Sequence, residues 1–270
     1  MTGIDRQQLL RDLARSLWEA EEAARPVEPP TERHADLDVA DAYTIQSHNV
    51  ERRVSGGAQV VGRKVGLTSR PMQRQLGVHE PDFGVLLDDM FVDGGDEIPL
   101  ERMIQPRVEA EMAFVMGRDL AGPGVTTATV LTAIAGVLPA IDIVDSRVVD
   151  WRIQLVDTIA DNASSGRLVV GGRLTLVAGV DLPLVGMLLY RNGVPIDSGA
   201  GAAALGNPAR CVAWLANKLG TLGSGLRRDD LVLPGALHRM VPVRPGDVFR
   251  AEFAHLGSVT ARFSDGGGSM

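Results

Sequence analysis

The stretch at 104–115, Ile-Gln-Pro-Arg-Val-Glu-Ala-Glu-Met-Ala-Phe-Val, constrains the fold more than any other part of the chain. Val108, Ala110 and Met112 alternate with Glu109, Glu111 and Ala113, a period of two that predicts a half-buried strand. Residues i and i+2 of a strand point the same way, so Glu109 and Glu111 share one face. Two neighbouring carboxylates repel unless a proton or a cation lies between them. Two readings stay open at this point: a solvated strand face, or one side of a site for a divalent metal.

A second acidic segment lies at 139–148, which reads as a buried strand carrying Asp142 and Asp145 in an apolar run. Buried acids are costly unless paired or metal-bound. Alternation allows only one of the two to join the glutamates. Asp142 is the candidate for a third carboxylate ligand, and Asp145 is expected to form a structural ion pair with Arg147. Three carboxylates without cysteine or correctly spaced histidine point to a hard cation, Mg²⁺ or Mn²⁺, rather than zinc. His79 is the histidine to watch, because its loop is expected near Lys64.

Only two of the 27 basic residues are lysines, Lys64 and Lys218. Lysine can give up its proton in a suitable site, whereas arginine effectively cannot. Lys218 falls in the last turn of an expected helix, where a cation complements the dipole. Lys64, in Gly62-Arg63-Lys64-Val65-Gly66-Leu67-Thr68, reads either as a surface lysine on a strand or as a proton-handling group beside the acids. The segment is neither a phosphate-binding loop nor a dinucleotide fingerprint. There is no Gly-x-Ser-x-Gly elbow. The single cysteine, Cys211, lies in the apolar pattern of a helix and excludes a disulfide framework.

The net charge of −7 and the eleven aromatic residues argue against nucleic-acid binding. No run is long and apolar enough for a membrane span, and the polar, helical start does not read as a signal peptide, so a cytoplasmic location is expected. Residues 1–36 read as an amphipathic helix over 4–24 and a proline-rich linker packed on a main domain at 37–265, followed by a tail at 266–270. Asp38 is the expected cap of a helix running to about Arg53. Residues 58–67 form an expected strand, with Gly62 and Gly66 marking close backbone approach. A short helix capped by Ser69 should close at Gly77, and a strand follows at 83–92. Beyond the glutamate strand we expect helices at 126–138 and 150–162, a strand at 167–171, and a hairpin at Asn192-Gly193. Asn207-Pro208 should open a helix ending near Gly220, and short strands with a hairpin near Gly257 should fill 231–263.

Several of these segments together resemble a known family. Gly-Arg-Lys-Val-Gly-Leu-Thr (62–68), Gln-Leu-Gly-Val-x-x-Pro-Asp-Phe-Gly (75–84), Gln-Pro-Arg-Val-Glu-Ala-Glu (105–111), Asp-Ser-Arg (145–147) and Val-Asp-Thr-Ile-Ala-Asp-Asn-Ala-Ser (156–164) resemble the 2-hydroxypenta-2,4-dienoate (2-keto-4-pentenoate) hydratases. Their relatives are the 4-oxalocrotonate decarboxylases, and both belong to the fumarylacetoacetate hydrolase superfamily. The likeness runs in order through nearly the whole chain. It implies an α/β (α+β) fold in one domain, with a β-rich core, flanking helices and a Mg²⁺ or Mn²⁺ site. It implies metal ligands at Glu109, Glu111 and Asp142, a catalytic lysine at Lys64 and a substrate contact at Ser164. It implies a small 2-oxo or 2-hydroxy acid substrate, a homo-oligomer, and association with an enzyme of an aromatic-cleavage pathway.

Three positions depart from the family pattern. Asp142 stands where glutamate is usual and reaches one methylene less. Leu233-Pro234-Gly235 replaces Leu-Thr-Gly, removing a hydroxyl and a backbone N–H. Asn207 replaces a histidine. The leading expectation is a hydratase that adds water to a 2-hydroxy-2,4-dienoate. The alternatives are a decarboxylase of the 4-oxalocrotonate type, an enzyme for a related 2-oxo acid, and a weakly active scaffold. A decarboxylase of this kind needs a second cation for a second carboxylate.

Overall fold

The computed structural model describes residues 3–75 and 77–265. The expected tail at 266–270 lies outside the described residues. In chain order the helices are α1 (Gly3–Glu22), α2 (Pro30–Arg33), α3 (Val39–Ser55), α4 (Arg70–Gln75), α5 (Thr127–Leu131), α6 (Leu155–Ala160) and α7 (Pro208–Thr221). The strands are β1 (Val60–Gly66), β2 (Asp82–Leu87), β3 (Glu97–Ile98), β4 (Arg107–Met116), β5 (Ile134–Val144), β6 (Ser165–Val170), β7 (Gly186–Arg191), β8 (Val194–Ala200), β9 (Leu231–Leu233), β10 (Val241–Pro242), β11 (Val248–Phe253) and β12 (Gly257–Phe263).

The alternating stretch is β4, and it is the spine of the molecule. It pairs antiparallel with β5 from Arg107↔Val144 to Met116↔Ile134. One sheet runs β2-β1-β9-β4-β5-β6, with β10 also pairing β4, and a second runs β3-β12-β11-β7-β8. Val108, Ala110, Met112 and Phe114 send their side chains into the main core with Phe249, Phe263 and the apolar face of α7. Burying a large apolar side chain of this kind stabilises the fold by roughly 1.5–3 kcal/mol. The opposite face of β4 carries Glu109, Glu111 and Ala113. Beyond the acids that face closes over Ala113, Ala140, Leu168, Leu231 and Leu233.

The local signals at several element ends hold. Asp38 and Asp41 form a reciprocal capping box at the start of α3. The Asn207 side chain accepts from the Ala209 N–H at the start of α7. The β7–β8 hairpin turns at Asn192-Gly193, and β11–β12 closes at Gly257. Leu10, Leu13 and Leu17 of α1 pack against Ile45 of α3 and Ile159 of α6. The segment before α3 is tied to α6 by Thr31, whose N–H and hydroxyl both donate to Asp157.

Four expectations change. The helix expected at 126–138 is only α5, and β5 starts at Ile134. Thr126 and Thr129 cap one turn of helix, but Gly136 and Pro139 cannot extend it. Gly136 instead meets the backbone of Thr175, where a Cβ would lie 2.7 Å from its carbonyl oxygen. The helix expected at 150–162 is only α6, flanked by short turns in which Asp150, Trp151, Asn162, Ala163 and Ser164 have positive φ. The strand expected at 83–92 is β2, which ends at Leu87 before a tight turn at 88–90. Asp145 is not the ion-pair partner of Arg147. Its carboxylate accepts from the Ile104 and Gln105 N–H groups, at 2.9 and 2.7 Å, and so holds the entry to β4. Arg147 pairs with Asp161 at 2.5 Å, because α6 returns that acid to the buried guanidinium.

Candidate metal centre

Neighbouring strands converge four acids and one lysine on the acid-bearing face of the first sheet. Glu109 and Glu111 project from β4, and Glu109 stands opposite Asp142 of β5 in the register. Ligand oxygens of Glu109, Glu111 and Asp142 all lie within 4.8 Å of one another. Glu111 and Asp142 are buried, and Glu109 is half-buried. Lys64 of β1 reaches over β9 and β4 and places Nζ 2.5 Å from Asp142 Oδ2 of β5, although neither atom has a well-aligned hydrogen bond. The structure therefore brings together Lys64 and the three acids singled out in the sequence.

Asp82 is the group that sequence reasoning missed. It opens β2 opposite Gly66, two residues along from Lys64 and on the same face of the β1–β2 pair. Both of its carboxylate oxygens are buried without a hydrogen-bond partner. Gly66 is what makes room for it, since a Cβ there would lie 2.2 Å from Asp82 Oδ1. The signal was the Pro-Asp-Phe-Gly motif, in which an acid precedes an apolar strand. Its burial depends on a glycine sixteen residues away, which no local pattern reveals.

The charge balance is lopsided, with four carboxylates around one ammonium. Burial pushes Asp82 up to about 6, against the pull of Lys64. Burial likewise pushes Glu109 up to about 7; Lys64 opposes this, while Asp142 and Asp82 reinforce it. Glu111 is also raised, by burial and then by Asp142 and Glu109. For Lys64, burial works against the charge, but Asp142, Glu109 and Glu111 outweigh it and raise its pKa. An all-oxygen set with excess negative charge and no thiolate or imidazole fits a hard divalent cation such as Mg²⁺ or Mn²⁺.

The loop after β9 closes one side. The Gly235 N–H donates to Glu111 Oε2 at 2.8 Å, leaving the other Glu111 oxygen for a ligand. Gly235 has φ +116, and a Cβ on it would lie 1.9 Å from Thr68 Oγ1. Pro234 is buried beside it. Leu67, next to Thr68, is itself left-handed, and so are Asn162, Ala163 and Ser164. Such strain, about 1–3 kcal/mol per residue, persists where surrounding structure enforces it and often marks functional sites. The turn at 162–164 abuts Gly84, the register partner of Lys64, where a Cβ would lie 2.6 Å from Asn162 O. Ser164 is buried, and its hydroxyl donates to Asp161 Oδ2 at 3.2 Å. His79 is exposed, and it lines a surface cleft with Arg70, Arg74 and Arg210. Cys211 is buried in α7, and burial raises its thiol pKa, as suits a core residue.

The fumarylacetoacetate hydrolase C-terminal family model matches residues 54–264, which include every residue of this centre. The chain belongs to the fumarylacetoacetate hydrolase family. It is 50% identical over 252 residues to the 2-keto-4-pentenoate hydratase of Paraburkholderia xenovorans strain LB400, covering 93% of this chain and 94% of that one. It is 42% identical over 261 residues to the 2-hydroxyhexa-2,4-dienoate hydratase of Comamonas testosteroni, covering 96% and 99%. Among solved structures it resembles the 4-oxalocrotonate decarboxylase of Pseudomonas putida G7 complexed with magnesium and adipate. That match has a TM-score of 0.93 and 36% identity, covering 97% and 98% of the two chains. The family fold is thus a single mixed α/β domain with a β-rich core. Among the described residues no helix is long and apolar enough to cross a membrane.

Proposed function

We propose that this chain is a metal-dependent hydratase that adds water to a 2-hydroxy-2,4-dienoate to give a 4-hydroxy-2-oxo acid. The observation that carries this reading is the cluster of Glu109, Glu111 and Asp142 oxygens within 4.8 Å, with Lys64 in contact. The high identity to hydratases supports the choice of reaction. Glu109, Glu111 and Asp142 would hold Mg²⁺ or Mn²⁺. When bound, the ion supplies a Lewis acid and a template for the substrate's carboxylate and 2-oxygen.

The protein's own groups handle the protons. The dienol loses its 2-hydroxyl proton and gains one at C5, giving the conjugated 2-oxo-3-enoate. Water then adds its hydroxyl to C4, and C3 takes up a proton. Lys64, positively charged and buried, stabilises negative charge developing on the 2-oxygen and can pass a proton to the carbon skeleton. Asp82, without a hydrogen-bond partner and with its pKa near neutrality, suits the acceptance and return of a proton. Ser164 is the proposed substrate contact, through the lone pairs its oxygen retains. A homo-oligomer and a pathway complex belong to the same reading by analogy with the family. A cytoplasmic setting is supported by the single, unpaired cysteine.

One observation favours a decarboxylase as the second reading. Arg70, Arg74 and Arg210 line the cleft beside the Leu67-Thr68 turn. That cleft also contains Gln73, which donates to Leu67 O, and Leu205, which donates to Thr68 O. These cations could meet the second carboxylate of a dicarboxylic substrate. The deciding experiment incubates the protein and Mg²⁺ or Mn²⁺ with 2-hydroxypenta-2,4-dienoate and, separately, with 4-oxalocrotonate. Loss of dienol absorbance without carbon dioxide supports the hydratase. Carbon dioxide release from the diacid transfers the assignment to the decarboxylase.

A further inference from the structure

The edge of β4 that faces away from β5 is not continuously paired. Strand β10 pairs with it at Arg107 and Val108, and β9 pairs with it at Phe114 and Val115. Between them, at Glu109–Ala113, a loop takes the place of a strand. The Leu237 N–H donates to Ala110 O at 3.1 Å. The Ala110 N–H donates to a side chain, His238 Nε2, at 2.8 Å. The loop is held against β4 from behind by β8, where a Cβ on Gly199 would lie 2.0 Å from Leu237 O.

The protonation of this imidazole follows from its partners. A backbone N–H can only donate, so Nε2 must carry its lone pair. The ring proton is then on Nδ1, which lies 2.6 Å from Arg239 O and donates to it. Asp197 of β8 is a nearby charged group, with Oδ2 3.8 Å from Nδ1. Burial favours the neutral ring and lowers its pKa, against the Arg239 carbonyl and Asp197. Without this acceptor the Ala110 amide would be buried and unpaired, at a cost of about 1–3 kcal/mol.

Ala110 lies between the two glutamates. Its N–H belongs to the peptide that follows Glu109, and its carbonyl to the peptide that precedes Glu111. The loop therefore fixes both peptide planes from which the acids project. We propose that neutral His238 is a positioning residue for Glu109 and Glu111, acting as a one-residue substitute for the strand missing from this edge. The inference rests on the reading of these glutamates as metal ligands. Outer groups that orient metal ligands typically contribute 10–100-fold to metal affinity.

The test compares His238→Leu, which removes the acceptor, with His238→Gln, whose amide oxygen can replace Nε2. Mn²⁺ affinity is measured by electron paramagnetic resonance alongside thermal unfolding. The expected result is a loss of about 10-fold or more in Mn²⁺ affinity for His238→Leu, with His238→Gln returning to within about 3-fold of the parent. Nitrogen-15 spectra of the unaltered protein should show His238 protonated on Nδ1. Equal Mn²⁺ affinity in His238→Leu, even with lowered stability, overturns the inference and leaves the metal reading standing. A proton on Nε2 overturns it too, and this measurement decides if His238→Leu does not fold. Mn²⁺ binding that is absent from the parent, or unchanged in Glu109→Gln, removes the metal reading and the inference with it.

Discussion

Glu109 on β4 and Asp142 on β5 stand directly opposite each other across an antiparallel pair, so two like charges share one rung of the ladder. Opposed like charges are destabilising, and burial raises the penalty. Strand pairing alone does not account for the arrangement, but a cation between the two does. Glu109→Gln removes one charge and keeps the shape. Above pH 7, where Glu109 is ionised, the metal-free variant is expected to unfold at a higher temperature than the parent, with a gain of about 1 kcal/mol. Its affinity for Mn²⁺ should fall by at least about 10-fold. A variant that loses stability without metal and keeps its Mn²⁺ affinity would contradict both halves of the argument.

The same acids set a pH dependence. Unfolded, Asp82 and Glu109 release their protons near their ordinary values of 3.8 and 4.5. Folded, they hold them up to about 6 and about 7. Between these limits the folded chain binds more protons than the unfolded one, so stability falls as pH rises. The metal-free protein should therefore melt at a higher temperature near pH 5 than near pH 7.5. A metal must displace these protons, so Mg²⁺ or Mn²⁺ affinity should grow as pH rises through 7. Melting curves without metal that shift upward from pH 5 to 7.5 would show that these acids are not held protonated.

Lys64 offers a cleaner separation of binding from chemistry. It is the one cation in contact with the acid cluster among the described residues, and it pairs with Asp142. Lys64→Met keeps an unbranched, flexible side chain one atom shorter and removes the charge. Mn²⁺ should still bind, since the three carboxylates remain. Turnover of the dienoate should fall by roughly 10²–10⁴-fold, the usual contribution of a positioned acid or base. An unchanged rate would take Lys64 out of the mechanism.

How much of this was legible in the sequence depends on the range of the signal. The alternation at 108–113 identified β4 and the shared face of its glutamates, because period two is a local property. Asp142 could be aligned with them because one acid in an apolar run must find a partner. Asp82 was not legible as a site residue, because its burial depends on Gly66 across the β1–β2 pair. The pairing of Arg147 with Asp145 fails for a similar reason. Asp145 is near in sequence, but the chain returns through α6 and offers Asp161, while Asp145 is taken by the amides of Ile104 and Gln105. The helix expected at 126–138 rests on apolar residues whose spacing fits either element. Pairing with β4 over 134–144 settled that ambiguity, and strand pairing is invisible in a single segment.

Gly235, next to the departure at Pro234, is a tightly constrained position of the closing loop. Its φ of +116 suits glycine alone, and a Cβ there would overlap the Thr68 hydroxyl at 1.9 Å. The contacts are rigid on both sides: the Thr68 carbonyl receives the Leu205 N–H, and the Gly235 N–H is engaged by Glu111. Gly235→Ala must therefore move the loop, move Thr68, or break the bond to Glu111. We expect a destabilisation of about 2–4 kcal/mol from strain and overpacking. Mn²⁺ affinity should also fall, since any shift of the loop displaces the N–H that orients Glu111. Thr68→Ala in the same chain removes the overlapping hydroxyl, which should restore part of the packing term but not the backbone strain. If Gly235→Ala alone melted and bound Mn²⁺ like the parent, the loop would have no hold on Glu111.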